Sequence, residues 1–224
     1  IKMEVIRNIP PNPNFLKRVK FLAKKFNCIL IFDECTTGFR ENYGGIHLKY
    51  NINPDIAIFG KTLGNGFAIN AILGKAKVMN VANKAFISST FWSERIGFTA
   101  ALKFLEIVKE KDYIDIQKKG RHIKYFWKKL FVNNNIEVEI GGIDSMPFFR
   151  LRHNHLLFKT FLTKEMLAKN ILATDIIYVS TKHTYLLLND YFKKFEEIII
   201  KYLEFQNTDL IKSLKKISPD TGFG

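Results

Sequence analysis

The chain has 224 residues, of which 47% are hydrophobic, and it carries a formal net charge of +14. This length suits one large domain, or one domain and a piece of another, and the apolar content allows a sizeable core. No apolar run approaches the roughly 20 residues that a membrane span needs. The first residues also lack the apolar segment of a signal peptide. We therefore expect no association with a membrane.

The basic charge makes nucleic acid or an anionic membrane a partner to consider. However, the lysines are spread over runs at 17–25, 118–129 and 212–216, which we place mostly on the polar faces of helices. Charged runs of this kind are usually solvated helix faces. We therefore do not expect nucleic-acid binding to be the main role.

The two cysteines, Cys28 and Cys35, do not have the spacing of a metal site. Because Cys28 lies inside an apolar run, we predict buried thiols in a reducing compartment. This predicts a cytoplasmic protein with no metal centre.

The first half of the chain reads as alternating helix and strand. Apolar residues recur at helical spacing over 14–26, which predicts an amphipathic helix. The short apolar runs 28–32 and 55–59 predict strands that are buried on both faces, as in a parallel sheet, and 69–74 predicts a third. A long helix is predicted over 94–110. Helix followed by buried strand is half of an α/β unit.

The second half has a different pattern, with alternating strands that helices cover. The predicted elements are a helix over 113–133, strands over 136–140 and 146–152, and helices over 155–170 and 188–206. We therefore predict an α/β fold in two parts. Residues 1–110 would be part of a large domain with a mostly parallel sheet, and residues 111–224 a small C-terminal α+β domain.

Lys61 stands in a Gly-Lys-Thr sequence that could end a phosphate-binding P-loop. That loop needs a glycine five residues before Gly60, where this chain has Asp55 in a predicted strand. A dinucleotide fingerprint that begins at residue 64 would need a third glycine where Ile69 stands. Both interpretations fail.

A third interpretation pairs Lys61 with Asp33. Each residue follows a predicted buried strand, and ligands of open parallel sheets bind outside the carboxyl ends of the strands. The two side chains could therefore face one crevice. The alternative, an ordinary ion pair between strand ends, stays open on the pair alone.

Three segments together resemble a known family: "IFDECTTGFR", "PDIAIFGKTLGNGFAINAILG" and "SSTFWSERIGFTAALKFLE". They are similar to the large-domain core of the class III (fold-type I) pyridoxal-phosphate aminotransferases, and in particular to members like glutamate-1-semialdehyde 2,1-aminomutase. The resemblance runs from about residue 4 to about residue 206. The chain departs from the family pattern at Phe67-Ala68, where a proline usually stands.

The resemblance implies the cofactor pyridoxal 5′-phosphate and a set of residues that bind it. Lys61 matches the lysine that carries the cofactor, and it would also move protons. Asp33 matches the carboxylate beside the pyridine nitrogen. Cys35 stands where a small apolar residue packs on the ring, and Thr90 matches a threonine that reaches the cofactor phosphate of the partner subunit.

The resemblance also implies the activity and the assembly. It implies transfer of an amino group between a small-molecule donor and a carbonyl acceptor, in a homodimer. It covers only the C-terminal portion of the family pattern, without the upstream phosphate-binding turn and ring-stacking residue. Two alternatives stay open: an intramolecular aminomutase, and an inactive remnant that acts as a binding or scaffold module.

Overall fold

The computed structural model of the protein describes residues 1–3, 12, 14–88, 90–91 and 93–205. The chain divides into two compact units, Ile1–Asp115 and Ile116–Gly224. None of the helices in these described ranges is long and apolar enough to cross a membrane.

The first unit begins with helix α1 (Phe15–Lys25), which leads into strand β1 (Ile31–Glu34). The helix ends in a turn with Asn27 in the left-handed region, where the amide of Cys28 donates to the carbonyl of Ala23. This turn makes one sequence prediction wrong: Cys28 is exposed. The apolar run that suggested a strand from residue 28 starts with the end of the helical turn, and the strand itself begins three residues later.

Strands β1 and β2 (Ile56–Phe59) pair in parallel, and Asp33 lies opposite Ile58. Strand β3 (Ala71–Gly74) pairs with β2 in the antiparallel direction, and most of its residues are exposed. The prediction of a third buried parallel strand is therefore wrong. A parallel crossover needs about a dozen or more residues, usually with a helix, whereas the connection over 60–70 contains no helix.

The remaining regular elements of the first unit are helices. The short elements are two 3₁₀ helices, Ile46–Tyr50 and Asn80–Lys84, and helix α2 (Ala76–Met79); helix α3 (Ile96–Ile107) follows. Gly97, in the first turn of α3, lies against the loop at 60–70: a Cβ atom there would be 2.8 Å from the carbonyl oxygen of Ala68. Only a glycine allows this close approach without a shift of the backbone.

Helix α4 (Glu110–Asn133) contains the boundary between the two units. The second unit continues with the antiparallel strands β4 (Val138–Gly141) and β5 (Phe148–Leu151), then helices α5 (His155–Ala168) and α6 (Tyr185–Phe205). Its core is rich in aromatic residues, and the fully buried rings include those of Trp127, Phe149, Phe158 and Phe195. The described residues thus form a mixed α/β fold, as the sequence predicts.

A polar cluster at the start of α5 ties this helix to the segment that crosses beside β5. The Asp175 carboxylate contacts Nε2 of His155 at 3.0 Å and Nζ of Lys159 at 2.9 Å. Burial alone would raise the pKa of Asp175, but hydrogen bonds from His155, Lys159 and Thr174 outweigh it and hold the pKa below its ordinary value. The carboxylate therefore stabilises the folded state when it is charged.

We expect Asp175→Asn to lower the free energy of unfolding at pH 7 by about 2 kcal/mol, since charged hydrogen bonds are lost in a half-buried place. A carboxyl group with a depressed folded-state pKa contributes its full stability above its unfolded pKa, near 4, and loses it as the pH falls toward the folded value. The difference in the free energy of unfolding between the variant and the unmodified chain should therefore be smaller at pH 3 than at pH 7, as measured by urea unfolding curves.

Glu197→Gln is the matched control, because it removes a carboxylate that pairs with Lys169 on an exposed surface. It should change the curves far less than Asp175→Asn at either pH, because solvent screens an exposed ion pair. If Asp175→Asn lowered the free energy of unfolding equally at pH 7 and pH 3, the charged Asp175 carboxylate would not be the stabilising group.

Candidate active site

A cleft of about 190 Å³ lies at the carboxyl ends of β1 and β2. It is lined by Lys2, Asp33, Cys35, Thr36 and Lys61. Three residues that the sequence analysis selected thus meet at one place, because the strands are parallel and adjacent and both end at this edge of the sheet. Lys2 and Thr36 were not selected.

Asp33 is held by both its backbone and its carboxylate. Its amide donates to the carbonyl of Ile1 at 2.9 Å, and its carbonyl accepts from the amide of Met3 at 2.9 Å. Its Oδ1 accepts a hydrogen bond from the amide of Cys35 at 3.1 Å. The side chain is half-buried, so its orientation is set within a turn that leaves the carboxylate at the cleft.

Lys61 begins the turn that follows β2. Its φ is 24°, a rare value for a residue with a side chain. The turn is closed by hydrogen bonds from Leu63 to the carbonyl of Gly60 (2.7 Å) and from Asn65 to the carbonyl of Lys61 (2.9 Å). The Nζ atom donates to Oγ1 of Thr36 at 2.8 Å, which brings the amine back over the end of β1.

Gly60 explains how the ends of β1 and β2 come so close together. A Cβ atom at this position would lie 2.5 Å from Sγ of Cys35 and would also collide with the side chain of Asn70. Any other residue would push the Cys35 thiol or the lysine turn outward. Cys35 itself is half-buried.

Glu34, which follows Asp33, has a different role. Successive side chains of a strand point to opposite faces, and Glu34 is completely buried. Its carboxylate accepts hydrogen bonds from the amide of Ile46, from the amide of His47 at 3.0 Å, and from Nδ1 of His47 at 2.6 Å. It therefore joins β1 to the 3₁₀ helix at 46–50 and supports the structure.

Thr90 lies in an exposed turn before α3 and is not among the residues that line the cleft. The neighbouring Ser89 and Trp92 lie outside the described residues. At the start of α3, the carboxylate of Glu94 accepts hydrogen bonds from the amides of Ile96 (2.7 Å) and Gly97 (3.1 Å).

A larger groove of about 700 Å³ lies in the second unit between α4 and β4, and its lining is Lys128, Val132, Asn135, Ile136, Glu137, Val138 and Ile140. It contains no residue that the sequence analysis selected. No group of three metal-ligating side chains occurs anywhere in the described ranges.

A profile of the family "Aminotransferase class-III" matches residues 8–136, which is more than half of the chain. The chain belongs to the class III aminotransferase family. This confirms the resemblance that the sequence motifs indicated, and it identifies a family that depends on pyridoxal 5′-phosphate.

Two relatives illustrate the range of the family. A 3-aminobutyryl-CoA aminotransferase of Cloacimonas acidaminovorans is 33% identical over 182 residues, which cover 78% of this chain and 44% of that protein. A glutamate-1-semialdehyde 2,1-aminomutase of Wigglesworthia glossinidia brevipalpis is 35% identical over 140 residues, which cover 61% of this chain and 32% of that protein. The chain spans less than half the length of either relative.

Solved structures confirm the fold. The FumI protein of Sphingopyxis sp. MTA144, in its PLP internal aldimine form, superposes with a TM-score of 0.80 at 19% identity over 87% of this chain and 48% of that one. An omega-transaminase of Sphaerobacter thermophilus gives a TM-score of 0.76 at 20% identity over 84% of this chain and 48% of that one.

The residues of the cleft fit pyridoxal 5′-phosphate. The lining combines an amine, a carboxylate and a small thiol in one place. An amine can react with the cofactor aldehyde, a carboxylate suits a protonated pyridine nitrogen, and a thiol is a small apolar surface for a ring.

We expect the two neighbouring carboxylates of β1 to respond differently to the same isosteric change. Glu34→Gln places amide hydrogens against buried N–H donors, so the free energy of unfolding should fall by about 3 kcal/mol. Asp33→Asn keeps an oxygen that can accept from the Cys35 amide. Its free energy of unfolding should therefore stay within about 0.5 kcal/mol of that of the unmodified chain. Urea unfolding of both variants checks this, and equal losses would refute the division between a supporting and a cleft-facing carboxylate.

Proposed function

We propose that the protein is a pyridoxal-phosphate-dependent aminotransferase that moves an amino group from a small amino donor to a carbonyl acceptor. The observation that carries the proposal is the meeting of Asp33 and Lys61 in one cleft at the ends of two parallel strands. Membership of the class III family supports it, because the same residues were selected on the family's motifs.

Three of the cleft residues have chemistry that suits a role in this reaction. Pyridoxal 5′-phosphate, when bound, supplies an electron sink for the bonds at the substrate carbon. Lys61 would hold the cofactor covalently, and its free amine would move a proton to and from the substrate carbon. Asp33 would hold the proton of the pyridine nitrogen, and Cys35 would pack on the ring.

We further propose a homodimer in which Thr90 binds the cofactor phosphate of the partner subunit. Thr90 is exposed in its turn, and three large apolar side chains around it are exposed as well: Phe86, Ile87 and Phe91. An apolar surface of this kind is typical of an interaction site. A hydroxyl within it could reach a ligand that another subunit holds.

An aminomutase is the second candidate, because several glutamate-1-semialdehyde 2,1-aminomutases are among the relatives, one of them 35% identical. The proposed residues would act in the same way in both reactions. The difference lies in whether one molecule keeps both functional groups. A mutase converts a single amino-aldehyde without a second substrate, whereas an aminotransferase needs an amino donor and a separate acceptor.

We expect Lys61→Ala to abolish the visible absorbance band of protein-bound pyridoxal 5′-phosphate and to lower the rate of amino transfer by at least about 10³, since general acid–base catalysis alone contributes 10²–10⁴. Lys75→Ala is the matched control: Lys75 is an exposed lysine of the same unit that pairs with Asp55. It should keep both the band and the rate.

A band that survives in Lys61→Ala would refute the assignment of this lysine. A full chain that forms no band with added cofactor would refute the enzyme and favour the inactive remnant.

We expect mixed dimers to test the role of Thr90. Neither Thr90→Ala nor Lys61→Ala subunits alone would form a complete site at limiting cofactor. A hybrid of one subunit of each kind would contain one intact site, because the two residues of a site would come from different subunits. An equal mixture should regain about a quarter of the normal activity by the statistics of a twofold dimer. Activity no higher than that of the separate variants would contradict a contribution across the interface.

A further inference from the structure

The turn after β1 holds the hydroxyl group of Thr36, a residue that the family motifs did not indicate. Thr36 is 8% exposed. Its carbonyl accepts a hydrogen bond from Nε of Arg40 at 2.6 Å, and the amide of Gly38 donates to the carbonyl of Glu34 at 2.8 Å, which closes the turn around it. The Thr36 hydroxyl therefore has a defined position at the wall of the cleft.

The partner of this hydroxyl is the amine of Lys61, at 2.8 Å. Lys61 is an exposed residue whose long side chain could point into solvent, and an unrestrained lysine would gain rotamer freedom by doing so. The hydrogen bond instead keeps Nζ at the cleft. The hydroxyl of the neighbouring Thr37 is buried and has no hydrogen-bond partner in the described part of the chain.

A threonine suits this task because its hydroxyl is both a donor and an acceptor. It can accept from the ammonium form of a lysine and donate to the neutral amine, so the contact can persist when the lysine gains or loses a proton. A carboxylate in the same place could only accept while charged, and would favour the ammonium form alone. A valine would make no hydrogen bond at all.

We propose that Thr36 is a positioning residue that holds the free amine of Lys61 in the cleft whenever the lysine is not bonded to the cofactor. This rests on the proposed function, because it matters only if Lys61 leaves and rejoins the cofactor. The hydroxyl would keep the amine next to the reacting carbon, where it acts as base and then as acid, instead of releasing it into solvent. The contact itself exists without the cofactor and can be tested without it.

The test measures how fast an amine-reactive reagent modifies Lys61 in the full chain, with no cofactor present. Acetic anhydride at limiting concentration is the probe, peptide mass spectrometry is the readout, and Lys75 is the internal reference because it is exposed on the same unit. Thr36→Val is isosteric but lacks the hydroxyl. We expect it to raise the relative labelling of Lys61 by about fivefold, the factor that corresponds to the net contribution of one hydrogen bond.

Two variants keep this result specific. Thr36→Ser retains a hydroxyl and should return the labelling of Lys61 to its normal rate. Thr37→Val changes the next residue of the same turn without removing a contact to Lys61, and it should also label normally. With cofactor and substrates, Thr36→Val should lower kcat about fivefold with little change in KM, since the contact would form after the substrate has bound.

Lys61 labelling in Thr36→Val that is no faster than in the unmodified chain would overturn the proposal. So would an equal rise in Thr37→Val, which would indicate a general loosening of the turn. These outcomes are separate from the failure of the proposed function, which Lys61→Ala decides through the absorbance band. If Thr36→Val showed a normal absorbance band and unchanged labelling of Lys61, the positioning role of Thr36 would be rejected and the proposed function would stand.

Discussion

The parallel pairing of β1 with β2 is the constraint on which the candidate site depends. It brings two carboxyl strand ends to the same edge of the sheet, so the residues that follow them must share the space outside that edge. Asp33 and Lys61 are 28 positions apart in sequence, yet they line one cleft. The direction of the two strands thus determines which side chains can act together at the site.

A different contact fixes the end of each of these two strands. On the β1 side, the buried carboxylate of Glu34 ties the strand to the 3₁₀ helix at 46–50. On the β2 side, Gly60 lets the turn of Lys61 approach the thiol of Cys35. Because the supporting carboxylate and the cleft-facing carboxylate are adjacent on one strand, the alternation of β structure is what separates their roles.

Sequence patterns predicted the fold class, the family and three of the five residues that line the cleft, because strand ends and motif spacing are local features. Three features escaped them. The direction of β3 depends on the length of a connection that contains no helix, the exposure of Cys28 depends on where a helical turn ends, and the bond between Thr36 and Lys61 depends on the shape of two turns. Each is decided by backbone geometry that residue type alone does not reveal.

Gly97 gives this geometry a further consequence. The first turn of α3 touches the backbone of Ala68, in the same loop that begins with Lys61. A methyl group on this glycine would press on the backbone of that loop. A substitution at Gly97 could therefore change the size of the cleft, although α3 contributes no side chain to its lining. Laboratory evolution of substrate range could include this position.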